Sequence, residues 1–362
     1  MRLGVEAAVV DGMLLRGDVE VAGGRIAAVG LAGGGRGIAA PGFVDLQVNG
    51  FAGVDFMHAD ASDYRRAGDA LLETGVTAFQ PTLITAPEEE LRAALAEVPA
   101  EPMRPRILGA HLEGPFLSSE RLGVHLAAHR RDPDPLLAER LLAAGPVTYM
   151  TLAPELPGAL ELVDLLHARG IVVSLGHTNA TAAEAGAAFD RGVATVTHLF
   201  NAMRPFAHRD PGVAGAALAR SGVVVQVILD GHHIAPETAR IVWAAASGRV
   251  ALVTDAMAAA GAGDGEFELA GEPVTVVGGV ARRADGVLAG SVITMIEAVR
   301  GLHALGAPLA EAIGAATAVP ARAARRGDVG TIEPGSAADV VVLDDALEIR
   351  RVLVGGTELV AA

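Results

Sequence analysis

Between residues 43 and 254, eight short apolar runs alternate with helical patterns. The runs 43–46, 77–80, 107–111, 148–152, 172–175, 195–198, 223–229 and 251–254 read as strands, each short and bounded by turn residues. Segments 64–73, 88–95, 136–144, 159–168, 181–190 and 237–246 lie between most of them. They carry apolar residues at helical spacing and are rich in Ala, Leu and Glu. Glycine often precedes the next strand, as Gly75, Gly170, Gly192 and Gly222 do, in the manner of helix C-termini. Eight such units predict an α/β chain with a (β/α)8 barrel of the TIM type. A doubly wound open sheet is the alternative that the same alternation allows. The segment 267–288 breaks the rhythm and reads as an inserted hairpin after the eighth strand.

The two ends read differently from the middle. Residues 2–40 alternate β-prone runs (5–10, 26–29) with the glycine pairs Gly23-Gly24 and Gly33-Gly34. Residues 339–343 and 348–354, a Gly355-Gly356 turn and a last strand repeat that pattern. The economical arrangement pairs both ends into one small β-sandwich domain, 1–40 with 327–362, around a barrel spanning 41–326.

Cysteine is absent, so any metal must be held by His, Asp or Glu, a set that suits Zn, Fe, Mn or Co. The formal charge of −15 argues against a nucleic-acid partner, though a few local Arg and His groups can still hold one phosphate. Apolar stretches never reach the roughly 18 residues of a membrane span. The opening stretch 1–20 carries Glu6, Asp11, Asp18 and Glu20, unlike the uncharged core of a secretory signal. A soluble, cytoplasmic protein is expected.

The polar residues are the informative ones. In a barrel, catalytic groups sit at the C-terminal ends of strands. Here the third run ends His111-Leu-Glu113, the fifth is followed by His177, the sixth ends at His198, the seventh runs into Asp230 and His233, and the eighth into Asp255. Taken singly, each histidine reads as a packed core residue, and Asp255 as a helix N-cap. Together they form a constellation that core packing does not explain. Glu113, His177 and His198 offer one carboxylate and two imidazoles, which leaves a coordination position open for water. Asp255 is the candidate general base.

The motifs HLEGPF (111–116), GHTNAT (176–181), THLFNAM (197–203), DGHHI (230–234), LVTDAM (252–257) and LAGS (288–291) resemble those of N-acetylglucosamine-6-phosphate deacetylases, within the amidohydrolase superfamily. PGFVDLQVNG (41–50) and GTIEPGSAADVVVLD (330–344) fit the wider superfamily, so the resemblance covers essentially the whole chain. It implies hydrolysis of N-acetylglucosamine 6-phosphate to glucosamine 6-phosphate and acetate. By motif register, Glu113, His177 and His198 match the metal ligands and Asp255 the catalytic base. His125 matches the histidine that polarises the acetyl carbonyl. Asn201, Ala202, Arg209 and His233 match the phosphate site, with Arg209 reaching across a homodimer interface. His233 is chosen over His232 on register alone, and Arg209 has a plain surface reading beside the functional one. His58, His129, His167, His208 and His303 read as solvated or structural.

Many amidohydrolases carry His-x-His at the end of the first strand, where this chain has Gln47 and Asn49. Neutral amides are poor transition-metal ligands but good hydrogen-bond partners for sugar hydroxyls or water. One divalent metal per chain, zinc first, is therefore expected, with Gln47 as a substrate contact. Gly261, Gly263 and Gly265 mark a loop after Asp255 that reads equally as a lid or a connector. The alternatives are a deacetylase of another N-acetylhexosamine 6-phosphate, such as the galactosamine epimer, and an N-acyl-amino-acid or cyclic-amide hydrolase on the same scaffold. A sugar-phosphate-binding regulator would have lost a ligand or the base, and all four residues are present.

Overall fold

The computed structural model describes residues 1–33 and 35–361. Gly34, half of one of the glycine pairs, lies outside them. Eight parallel strands form the barrel: Phe43–Val48, Val76–Ile84, Ala110–Glu113, Val147–Leu152, Val172–Leu175, Thr195–Val196, Val224–Val227 and Val250–Leu252. This is the α/β barrel expected from the alternation, not the open sheet. Among the described residues, one backbone bridge joins the C-terminal ends of the eighth and first strands, pairing Val48 with Ala256, and side chains complete the seam below it.

The helices carry their own start signals. Asp60 caps Ala61–Glu73 in a reciprocal box with Asp63, and Thr181 caps Ala182–Asp190 with Glu184. Helix Ala61–Glu73 buries Tyr64, Ala67, Gly68, Leu71 and Leu72, one stripe at helical spacing. Burying one such leucine contributes about 1.5–3 kcal/mol, so Leu71→Ala would open a cavity against the barrel wall.

Two strands differ from the expectation. The third is broken into Arg106–Ile107 and Ala110–Glu113 at Gly109, whose φ is 97°. The sixth keeps only Thr195–Val196, because His198 has already turned, with φ 25°. The insert is a three-stranded meander, Gly265–Leu269, Glu272–Val277 and Val280–Arg283, one strand more than a hairpin.

Both chain ends meet in one sheet, in the order Met13–Arg16, Ala7–Val10, Ile38–Pro41, Val340–Leu343, Ile349–Val354 and Thr357–Ala361. The ribbon Asp18–Ala22 and Arg25–Leu31 packs on it over Val5, Val19, Val21, Ile26, Val340 and Leu353. This separate sheet domain is tied to the barrel by Arg106, whose Nε donates to Asp339 Oδ2 at 2.7 Å.

Candidate active site

The strand ends set the site. His177, His198 and Asp255 each leave their strand with positive φ, 48°, 25° and 51°. Such backbone costs roughly 1–3 kcal/mol per non-glycine residue and persists where the surroundings enforce it. Each turn swings a polar side chain over the barrel mouth, where all three are 8% exposed or less. Gly290 is required beside them: a Cβ there would lie 2.8 Å from the Asp255 carbonyl oxygen.

Glu113 Oε1, His177 Nε2 and His198 Nε2 form a triangle with sides of 3.1, 3.0 and 3.1 Å. Four tetrahedral ligands held at metal–nitrogen and metal–oxygen distances of about 2.0–2.1 Å are spaced by about 3.3 Å, so the triangle has the size of a metal site. The ligand tautomer is set as well. His177 Nδ1 lies 3.0 Å from the Arg121 carbonyl oxygen, which only accepts, so the ring proton sits on Nδ1 and the Nε2 lone pair is free. Burial pushes His177 down to about 4 and keeps it neutral, as a ligand must be. Burial would also raise Glu113, but the neighbouring histidines, His177 foremost, hold it well below the usual carboxylate range.

Glu113, His125 and His177 also form a compact potential metal set. Hydrogen bonding separates His125 from the ligands. The Thr85 backbone N–H donates to His125 Nδ1 at 3.3 Å, which in a neutral ring places the proton on Nε2. That Nε2 is buried, has no hydrogen-bond partner, and lies 3.6 Å from Glu113 Oε2. It is built to donate a hydrogen bond, not a lone pair.

Asp255 shares this cavity, which has a volume of ≈ 290 Å³, toward the small end for ligand sites and suited to a single sugar. Burial, and then the charge of Glu113, pushes Asp255 up to about 6. Asn201, Ala202 and His233 line the same cavity. His233 Nδ1 is held by Asp230 Oδ2 at 2.7 Å, which leaves Nε2 for a ligand. The Asn201 amide nitrogen donates to the His198 and Leu199 carbonyls, both at 3.2 Å, so its Oδ1 is the group's free acceptor. An acceptor suits a sugar hydroxyl better than a phosphate oxygen.

One expectation needs correction. Gln47 does not line the cavity: it is fully buried, and its Nε2 donates to Glu113 Oε1 at 2.9 Å. Arg209, expected to act from a second copy, is exposed and is not among the residues lining the cavity of its own chain. Residues 256–260, just after Asp255, are buried, with Ala52 and Gly53 donating to Ala260 and Ala258, while Gly261 and Gly263 beyond them are exposed. A wall over the cavity comes from the insert, through Arg282 and residues 286–288. Arg283 Nη1 braces this wall on the Val124 carbonyl at 3.4 Å.

Sequence reading missed Arg282, the one arginine lining the cavity among the described residues. Its signal was a basic pair in the insert, without spacing to tie it to the strand ends. A larger groove, ≈ 1190 Å³, runs past Arg65, Arg104 and Gly355 and contains none of the site residues. The five histidines read as structural or solvated lie outside the 290 Å³ cavity.

Comparison with known proteins fits this geometry. The amidohydrolase family model matches residues 38–359. Human N-acetylglucosamine-6-phosphate deacetylase is 40% identical over 376 residues, covering 95% of this chain and 92% of its own. An Escherichia coli N-acetylgalactosamine-6-phosphate deacetylase is 36% identical, covering 87% of this chain and 86% of its own. Among solved structures, a mutant Mycobacterium smegmatis N-acetyl-D-glucosamine-6-phosphate deacetylase in complex with N-acetyl-D-glucosamine-6-phosphate superposes with a TM-score of 0.95. It is 37% identical, over 100% of this chain and 99% of that one.

Proposed function

The chain belongs to the amidohydrolase family, and we propose that it hydrolyses N-acetylglucosamine 6-phosphate to glucosamine 6-phosphate and acetate. The carrying observation is that one sugar-sized cavity holds both the Glu113–His177–His198 triangle and a separate buried carboxylate, Asp255. The likeness to deacetylases over nearly the full chain supports the substrate.

Glu113, His177 and His198 would hold one divalent metal per chain. Zinc is the first choice, and iron, manganese and cobalt fit the same nitrogen and oxygen donors. Such a metal lowers the pKa of a water and polarises the amide carbonyl. Asp255 takes the proton of the attacking water and delivers it to the sugar nitrogen as the C–N bond breaks. The His125 Nε2–H donates to the carbonyl oxygen as it gains charge, a contact stronger in the transition state than in the ground state.

His233 and the Ala202 backbone receive the phosphate, joined by Arg282 from the insert. Asn201 accepts from a sugar hydroxyl. Arg209, remote from its own cavity, completes the phosphate site of a second copy, so the working unit is a homodimer. Among the described residues no helix is long and apolar enough to cross a membrane.

The galacto epimer is the second reading, favoured by the Escherichia coli relative. Acetate release by the metal-replete protein from N-acetylglucosamine 6-phosphate, its galacto epimer and the unphosphorylated sugar tests the proposal. Fast release from the phosphorylated gluco substrate alone is the expected result. Faster release from the galacto epimer would replace the substrate, and equal rates with and without phosphate would remove the phosphate site.

A further inference from the structure

The first barrel strand points alternate side chains into the barrel, as the period-two pleat requires. Asp45 and Gln47 occupy those positions and Asn49 follows one residue beyond the strand, at 0%, 0% and 3% exposure. Gln47 Nε2 donates to Glu113 Oε1 at 2.9 Å, and Asn49 Nδ2 donates to Asp255 Oδ1 at 2.7 Å. A carboxylate only accepts, so each amide must turn its nitrogen toward its acid. The other end of each amide is left over: Gln47 Oε1 and Asn49 Oδ1 are buried without a hydrogen-bond partner. An unpartnered buried carbonyl is costly. Both amides carry that cost at the end of the first strand, and both turn their NH2 groups to the two acids that the chemistry needs.

We propose that Gln47 and Asn49 are positioning residues for the hydrolysis, each fixing one of the two working carboxylates by a neutral N–H donor. This rests on the roles given above to Glu113 and Asp255. Asn49 anchors Asp255 Oδ1 and leaves Oδ2 as the oxygen that meets the water proton. Gln47 holds the Glu113 oxygen that completes the triangle with His177 and His198. A neutral amide performs this without adding charge, so Glu113 and Asp255 keep their anionic character. The donors also cap the strand-facing side of both acids, where a second cation would meet N–H groups.

Two variants separate positioning from simple structural support. Asn49→Leu is close in size, removes the donor and adds no charge. It should lower kcat by about 10–100-fold, the loss of one hydrogen bond to a charged group, with KM within about twofold and the metal content unchanged. Gln47→Leu should weaken metal binding by about 10–100-fold in chelator competition, as loss of a ligand's hydrogen-bond partner does elsewhere. That second readout needs no substrate, so it stands even if the deacetylase reading fails. Asn49→Ala serves if Asn49→Leu does not fold. The proposal is overturned if Asn49→Leu retains kcat within twofold, if kcat and KM change in proportion, or if both Asn49 variants fail to fold. It is equally overturned if folded Gln47→Leu binds metal as tightly as the wild type.

Discussion

Asp45 Oδ2 accepts the hydroxyl of Thr254 at 2.6 Å, and this contact stitches the first barrel strand to the eighth directly beneath the site. Asp45 Oδ1 also accepts the backbone N–H groups of Thr254 and Gln47, at 3.2 and 3.3 Å. One buried carboxylate thus sets the register of the two strands that present Gln47, Asn49 and Asp255. Thr254→Val should cost about 1–3 kcal/mol, the penalty for a buried acceptor left short of a donor, and thermal unfolding would register it. An unchanged melting temperature would show that the backbone bridge closes the seam alone.

The same residue carries a pH signature. Burial raises Asp45 from 3.8 to about 7, against the pull of its donors. Between those values the folded protein binds a proton that the unfolded chain does not. The stability that Asp45 contributes is therefore full below about pH 3.8 and is lost as pH rises through 7. Relative to Asp45→Asn, the wild-type melting temperature should fall across that window. A constant difference between the two proteins from pH 4 to 7 would contradict this.

Asp255 acts as a base, so it must be ionised. Its position near 6 predicts that kcat falls as pH drops, with the limb at or below pH 6, because a cation held by Glu113 pulls it lower. Asp255→Asn should retain one metal per chain and lose about 100- to 10,000-fold in turnover. Turnover near that of the wild type would remove Asp255 from the chemistry.

Elemental analysis should find one tightly held divalent metal per wild-type chain and close to none in His198→Ala or Glu113→Gln. Two tightly held metals in the wild type would mean that Gln47 and Asn49 do not deter a second ion.

Arg282 and Arg209 give the phosphate site a separate test. Arg282→Ala should raise KM about 10–100-fold for the phosphorylated sugar and leave the unphosphorylated sugar nearly unchanged. Mixing inactive Arg209→Ala and Asp255→Asn chains should restore part of the activity, since a hybrid dimer holds one intact site. Equal losses on both sugars, or a mixture as inactive as its components, would contradict these placements.

Much of this was legible before any coordinates. Glu113, His177, His198 and Asp255 betray themselves because barrel chemistry gathers at strand ends, and a strand end can be read wherever an apolar run stops. What escaped lacked a period. Helix Gly212–Leu218 is built from Gly, Ala, Val and Leu with no polar face to mark it. Arg282 belongs to an insert that folds back over the mouth, and no spacing encodes that return. Gln47 was visible as a departure from His-x-His, but its partner Glu113 lies 66 residues on, and only the closed barrel brings the two together.

The central claim is tested most directly by following the protein with N-acetylglucosamine 6-phosphate in 18O-labelled water. Metal-replete enzyme should form acetate and glucosamine 6-phosphate in equal amounts, with one label per acetate. Label in released phosphate, or no acetate from protein with its metal bound, would contradict the account.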